Sequence, residues 1–150
     1  MSKTITFRGK LDIGVQQKIK LSTIKGKTGY RIKKFVIMTV TPGTAAFEYC
    51  AKIFSKDQTG SIVETVDFSE GDLLAAACQF MTDSNIGIFT DQVIFDNEIF
   101  NQDIFIYITD TKAAAGANQC NYYIELEQTT LTDVQSTQLT LSNLRTIASR

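Results

Sequence analysis

The sequence contains no histidine and no tryptophan, and it has a single proline. Without histidine, no side chain has an ordinary pKa close to neutral pH. Catalytic triads and zinc sites that use histidine are therefore excluded. Without tryptophan the usual aromatic platform for a sugar ring is missing, and no pair of carboxylates stands out as a glycosidase pair. We therefore predict that the protein is not an enzyme and that it uses no cofactor.

Cysteine is also scarce. The three cysteines are Cys50, Cys78 and Cys120, and no two of them form a C-x-x-C motif. An odd number without close spacing is typical of reduced, buried thiols in a protein that is assembled in the cytosol. Residues 1–10 are polar and charged, so we expect no secretory signal, and no window approaches the roughly 18 apolar residues of a membrane span.

The composition that remains is that of one folded domain. The 150 residues are 43% hydrophobic and 21% charged, which is typical of a globular chain. A chain of this length buries about two-thirds of the surface that its unfolded form exposes, so folding needs no disulfide or metal. We interpret residues 1–150 as a single domain.

Short alternating runs bounded by turn residues dominate the chain, and this pattern predicts β-strands. The runs are residues 4–8, 18–21, 30–41, 47–55, 61–68, 91–96, 103–109 and 120–128. Residues 35–40 are apolar on both faces, so we place this strand centrally in its sheet. Residues 103–109 look buried on both faces, and we predict that they form a hairpin with residues 120–128.

Two segments fit more than one type of structure. Residues 73–81 are rich in leucine and alanine, which favour helix, but their neighbours are strands and we predict a strand. Residues 133–148 carry apolar side chains at roughly helical spacing, which is compatible with a short C-terminal helix or a packed arm. The predicted fold class is all-β: a single-domain antiparallel β-sandwich, jelly-roll-like, with that C-terminal helix or arm.

Charge is distributed unevenly along the sequence, although the formal net charge is −1. Residues 1–60 carry a net charge of +9, and residues 61–150 carry a net charge of −10. Such a division indicates an electrostatic partner or self-association, unless folding interleaves the two halves. We expect the basic side chains to be exposed, because the strands that carry them have apolar inner faces.

Two basic segments partly match the patterns of phosphate-binding sites, but each lacks a feature that such a site needs. Residues 26–28 match the end of a phosphate-binding loop, but Leu21 stands where the first glycine of that motif is needed. Residues 18–34 hold seven basic residues but only one aromatic residue, Tyr30, so stacking on bases has little support. We therefore predict neither a nucleotide site nor nucleic-acid binding.

An acidic cluster surrounds Asn97 and Asn101. It consists of Asp91, Asp96, Glu98 and Asp103. Oxygen-rich loops can hold calcium, but the spacing of an EF-hand is absent here. We expect these carboxylates to form a solvated acidic rim, and we predict no metal site.

Four stretches of the sequence resemble a known family. They are Lys18–Leu21, Gly26–Ile32, Ile94–Ile104 and Cys120–Glu127. Together they resemble virion structural proteins of marine tailed phages, and the resemblance extends from about residue 5 to residue 148. It carries no catalytic signature. It implies a jelly-roll domain that is made in the bacterial host cytoplasm and located in the virion.

The role that this resemblance implies is that of a capsid decoration, or cement, protein. Such a protein binds the shell and neighbouring copies through surface complementarity. The expected partners are the major capsid protein or other virion proteins, together with further copies in a homo-oligomer such as a trimer. No membrane partner is expected. The interface candidates are the basic residues Lys18, Lys20, Arg31, Lys33 and Lys34 and the acidic residues Asp91, Asp96, Glu98 and Asp103.

Two alternative functions remain open. One is a tail or neck component of the virion, and the other is a glycan- or receptor-binding module at a phage tip. The second alternative predicts a concave pocket that is lined by Asn121, Tyr122 and Tyr123. Because successive side chains of a strand point to opposite faces, at least one of the two tyrosine rings should enter the core, which weighs against this function.

Overall fold

The computed structural model describes residues 3–21, 26–40, 47–81, 88–95, 98–111 and 119–148. Within these ranges the chain forms eight strands and one helix. They are β1 (Lys3–Asp12), β2 (Gln17–Ile19), β3 (Thr28–Thr39), β4 (Phe47–Phe54), β5 (Leu73–Met81), β6 (Ile88–Ile94), β7 (Ile104–Asp110), β8 (Gln119–Thr130) and α1 (Asp133–Ala148). The ambiguous segment at residues 73–81 is a strand, as predicted, and the C-terminal segment is a helix.

The strands form two antiparallel sheets, which confirms the predicted β-sandwich. The smaller sheet has the order β1-β8-β3, and the larger sheet has the order β2-β7-β4-β5-β6. Eight strands divided in this way between two sheets follow the order of a jelly roll, with one change. β6 hydrogen-bonds to β5 and extends the larger sheet, whereas a regular jelly roll would place it beside β3 in the smaller sheet.

The core lies between the two sheets, because each strand buries every second side chain. On β8 the buried positions alternate from Cys120 to Leu126. They belong to one cluster with Ile104, Ile106 and Ile108 of β7, which are fully buried. Burial of one such aliphatic side chain contributes about 1.5–3 kcal/mol. β7 is buried on both faces, as predicted, because a second layer covers its outer face.

This second layer is the covering segment, residues 55–72, which connects β4 to β5. A small cluster of Phe54, Leu73 and Tyr107 lies beneath it, with Ile62 packed against the cluster. The strand predicted over residues 61–68 is wrong, since this stretch forms no ladder with any described strand. All of its residues except Ile62 are exposed, so its alternating apolar side chains are not buried against a neighbouring strand.

A polar network holds the first part of the covering segment. The Gln58 amide donates to a carboxylate oxygen of Asp72 at 3.1 Å, and both side chains are buried. The Gln58 backbone N–H donates to the side-chain oxygen of Gln16 at 2.6 Å. The Gln16 amide in turn donates to Asp57 at 2.9 Å. These bonds connect the segment to the turn between β1 and β2.

The central position predicted for residues 35–40 is wrong, because β3 lies at one edge of the smaller sheet and β8 lies at its centre. Over residues 35–40 burial alternates: Phe35, Ile37 and Thr39 are buried, while Met38 and Val40 are exposed. The outer face of this strand is apolar without being covered by a further layer. We predicted a central strand because both of its faces are apolar. In the structure, however, the apolar outer face is part of the protein surface.

The hairpin predicted between residues 103–109 and 120–128 is also wrong. These strands are β7 and β8, and they lie in different sheets. β8 pairs instead with β1 over Lys3–Asp12 and with β3 over Thr28–Thr39. Strands that follow each other in sequence often form a hairpin. A strand with one polar face can nevertheless join either sheet of a sandwich, and β8 joins the sheet opposite to that of β7.

The helix α1 begins with a capping box. The Thr132 hydroxyl accepts from the backbone N–H of Gln135 at 3.2 Å, and the Gln135 side chain accepts from the Thr132 N–H at 3.0 Å. Asp133 in the first turn forms an ion pair with Lys27 at 2.7 Å, and the Ser136 hydroxyl donates to the Gly26 carbonyl at 2.9 Å. The start of the helix is therefore fixed against the N-terminal end of β3.

Candidate interaction surfaces

The basic candidates on and beside β2 are placed at one edge of the larger sheet. Lys18 forms an ion pair with Asp103 at 3.3 Å, and that carboxylate also accepts from the Leu21 N–H at 2.6 Å. Lys20 is exposed. A basic and an acidic interface candidate thus form an ion pair with each other within one chain.

The basic candidates on β3 face acidic residues on β8. Arg31 lies opposite Glu127, with 3.9 Å between the guanidinium and the carboxylate, and Lys34 lies opposite Glu125. The Lys34 ammonium is 5.9 Å from the centre of the Tyr123 ring, a cation–π distance. Lys33 is exposed at a bulge, where the pairing register shifts between Ile32 and Lys34.

The acidic candidates do not form one patch. Asp91 is exposed on β6, at one edge of the larger sheet, whereas Asp103 precedes β7 near the opposite edge. Strands β4 and β5 separate β6 from β7, which corresponds to roughly 14 Å at the usual strand spacing. Glu98 is exposed, and Asp96 lies outside the described residues. The sequence division into a basic and an acidic half is therefore partly interleaved by the fold.

The expectation that the basic half keeps its charges exposed is wrong for Lys52 and Lys56, which are buried. The Lys52 ammonium donates to the carbonyls of Val63, at 2.9 Å, and Thr65. It also lies 5.1 Å from the centre of the Tyr107 ring. Burial of an ammonium is costly unless hydrogen bonds replace its water, and here carbonyl oxygens and an aromatic face do so.

Sequence reasoning missed this lysine, although the pattern of β4 contained a signal for it. Phe47, Tyr49, Ala51 and Ile53 form one face of the strand, and this face lies in the core. The other face carries Lys52 between Cys50 and Phe54, so a charge stands among residues that favour burial. An outer face of this kind indicates that a further layer covers the sheet.

A groove runs over the outer face of the smaller sheet. Its volume is about 600 Å³, within the range of ligand sites, which is roughly 300–1,000 Å³. It is lined by Arg8, Gly9, Lys10, Val36, Met38, Asn121, Tyr122 and Tyr123. Tyr122 is buried and Tyr123 is half-buried, so alternation sends one ring inward, as predicted. The groove combines two cations, an amide and a partly open aromatic ring.

An exposed aromatic pair lies on the outer face of the larger sheet, near its β6 edge. Phe80 and Phe89 are cross-strand partners, and their rings stack with 5.1 Å between centroids. Phe80 is 42% exposed and Phe89 is 48% exposed. Among the described strands, β6 pairs only with β5, and its other edge approaches β3 without forming a ladder. Exposed aromatic residues near a sheet edge favour association with another protein surface.

Neither a metal centre nor a membrane span is found in the part of the chain that the structure describes. No group of three or more acidic or cysteine side chains there could hold a metal ion. No described helix is both long and apolar enough to cross a bilayer. Comparison with protein-family models, with curated proteins and with solved structures finds no match.

Proposed function

We propose that this protein is a structural component of a phage virion, a decoration protein that binds the capsid shell and neighbouring copies of itself. The exposed Phe80–Phe89 pair near the β6 edge of the larger sheet is the observation that carries this proposal. A two-sheet sandwich that exposes an aromatic pair near one edge is suited to bind a complementary surface on another protein. The sequence resemblance to virion structural proteins supports the same role.

The Phe80–Phe89 pair predicts that association is driven mainly by apolar burial. Several candidate charges already have partners in the same chain, including Lys18 with Asp103 and Arg31 with Glu127. Because exposed charges are screened beyond about 10 Å at 0.1 M salt, an interface built on them would weaken as salt is added. An interface centred on the aromatic pair should change little between low and high salt.

Sedimentation velocity over a concentration series tests this interface. The wild-type chain should form a small oligomer, and the double variant F80S/F89S should associate at least about tenfold more weakly. Val134→Ser is the matched control, since it removes an apolar side chain that is 67% exposed elsewhere, on α1. A wild-type protein that stays monomeric at every concentration and does not co-sediment with purified shells would rule out the decoration role.

A second candidate function, glycan binding, is favoured by one observation, the groove on the smaller sheet. Asn121 and Tyr123 line it, as the alternative of a receptor-binding module predicts. Arg8 and Lys10 lie on the same face and would favour a sugar that carries an acidic group. Binding to a glycan array that is lost on Tyr123→Ala, but retained in Phe68→Ala on the covering segment, would support this function. An array with no signal would remove it.

A further inference from the structure

Cys50 and Cys78 lie side by side on the outer face of the larger sheet. They are cross-strand partners in the β4–β5 ladder, and their sulfur atoms are 3.9 Å apart. Neither belongs to the main core cluster, which contains Cys120 instead. Cys78 is partly exposed and Cys50 is buried, so Cys78 is the member of the pair that small molecules in solution reach first.

The backbone geometry of this pair suits a disulfide. Residues directly opposite each other in antiparallel strands have Cα atoms about 4.5–5.5 Å apart. Disulfides span Cα distances of about 4.4–6.8 Å. The strand spacing is therefore compatible with a sulfur–sulfur bond between these two residues.

The surroundings of the pair distinguish the two thiols. The hydrogen bond with Cys50 lowers the pKa of Cys78 to about 7, against the opposing effects of partial burial and of the carboxylates of Asp91 and Glu48. The same hydrogen bond, together with burial, raises the pKa of Cys50. Lys52, two residues along β4, favours the thiolate of either cysteine. Cys78 is also the more exposed of the two thiols, and we therefore assign it as the nucleophile.

We propose that Cys50 and Cys78 are a redox modification site that closes to a reversible disulfide when the protein meets a peroxide. The Cys78 thiolate attacks one oxygen of hydrogen peroxide, the O–O bond breaks, and Cys78 becomes a sulfenic acid as hydroxide leaves. The Cys50 sulfur then attacks the Cys78 sulfur, the S–O bond breaks, and the departing hydroxide takes the proton from Cys50 as water. In sum, two thiols and one peroxide give one disulfide and two waters.

Closure of this bond would link β4 covalently to β5. These two strands flank the covering segment. The bridge would link residues that are 28 positions apart in sequence. By the loop-entropy estimate, a link of this length should raise Tm by about 10 °C for a chain of this size. A dithiol reductant should reverse both the bond and the shift in Tm.

The test uses the full chain, reduced and then treated with stoichiometric hydrogen peroxide. The number of titratable thiols in the denatured protein should fall from three to one, and peptide mapping should find Cys50 linked to Cys78. Cys120→Ser is the matched control and should close as the wild type does. Cys50→Ser should stop at a sulfenic acid on Cys78 that dimedone traps.

Three unchanged thiols in the oxidised wild-type protein, or links that involve Cys120, would overturn this site. If the Cys50→Ser variant fails to fold, the thiol count and peptide map of the wild type still decide the question. The outcome does not depend on the proposed virion role, because no shell or partner enters the experiment.

Discussion

At the scale of single residues, Lys52 connects two layers of the molecule. Its strand belongs to the larger sheet, and its ammonium holds the carbonyls of Val63 and Thr65 in the covering segment. Those two residues are exposed, so water can replace the ammonium when it is removed. An apolar side chain of similar volume avoids the cost of burying a charge, which offsets the loss of the two hydrogen bonds.

The variant Lys52→Met should therefore release the covering segment without unfolding the domain. We expect Tm to stay within about 3 °C of the wild type and amide exchange at residues 62–68 to become at least about tenfold faster. The matched control is Lys20→Met, which makes the same change at an exposed position and should leave exchange as it is. Equal exchange rates in Lys52→Met and the wild type would show that Lys52 does not hold this segment.

Asp57 gives the covering segment a dependence on pH. Hydrogen bonds from Thr59, and then from Gln16, lower the pKa of Asp57 to about 2, against an ordinary value near 4. Because the pKa is lower in the folded chain, the stabilisation is present above about pH 4 and is lost as pH falls towards 2. The carboxylate is exposed, so solvent screening keeps the effect small.

Asp57→Asn keeps an oxygen that can accept a hydrogen bond and removes the charge. We expect the variant to melt about 1–3 °C below the wild type at pH 6 and the difference to vanish near pH 2. Thermal melts of both proteins across this range measure it. A difference that persists unchanged at pH 2 would mean that the carboxylate charge is not its source.

At the scale of elements, the beginning of β3 packs tightly against the end of β8. A Cβ atom at Gly29 would lie 2.7 Å from a Leu131 methyl carbon and 3.1 Å from Ile99. The 2.7 Å contact is too short for a Cβ atom and the contact with Ile99 is tight, so glycine permits the close approach of these segments. By contrast, a Cβ atom at Gly71 would meet no atom within 4 Å.

Gly29→Ala should destabilise the domain by about 1–3 kcal/mol through overpacking. Gly71→Ala makes the same chemical change in open space and should be neutral or stabilising by about 0.5 kcal/mol. Urea denaturation of the two variants measures both values. A Gly29→Ala protein as stable as Gly71→Ala would contradict the close packing at the start of β3.

Element types could be predicted from the sequence more readily than their partners. The alternation in β8 correctly indicated a strand, but it did not indicate that β1 and β3 flank this strand. The run at residues 61–68 alternates as well, yet Lys52 binds two of its carbonyls and none of the described strands pairs with it. Partner choice depends on contacts between residues far apart in sequence, which periodicity does not report.

At the scale of the whole molecule, the fold mixes the two halves of the charge distribution. β3 from the basic half lies beside β8 from the acidic half, and this pairing places Arg31 opposite Glu127 and Lys34 opposite Glu125. The linear sequence could not reveal this mixing, because it depends on strand order. Among the described residues, the Phe80–Phe89 pair and the groove on the smaller sheet are two surfaces that are open to a partner.

The most direct test of the proposed decoration role is a cryo-EM map of the virion in which we propose that this chain is located. The role predicts a two-sheet sandwich on the outside of the capsid shell, in symmetric clusters, with the β5–β6 edge and its Phe80–Phe89 pair buried against a neighbour. Density for the chain on the tail or neck, or its absence from the particle, would contradict this role.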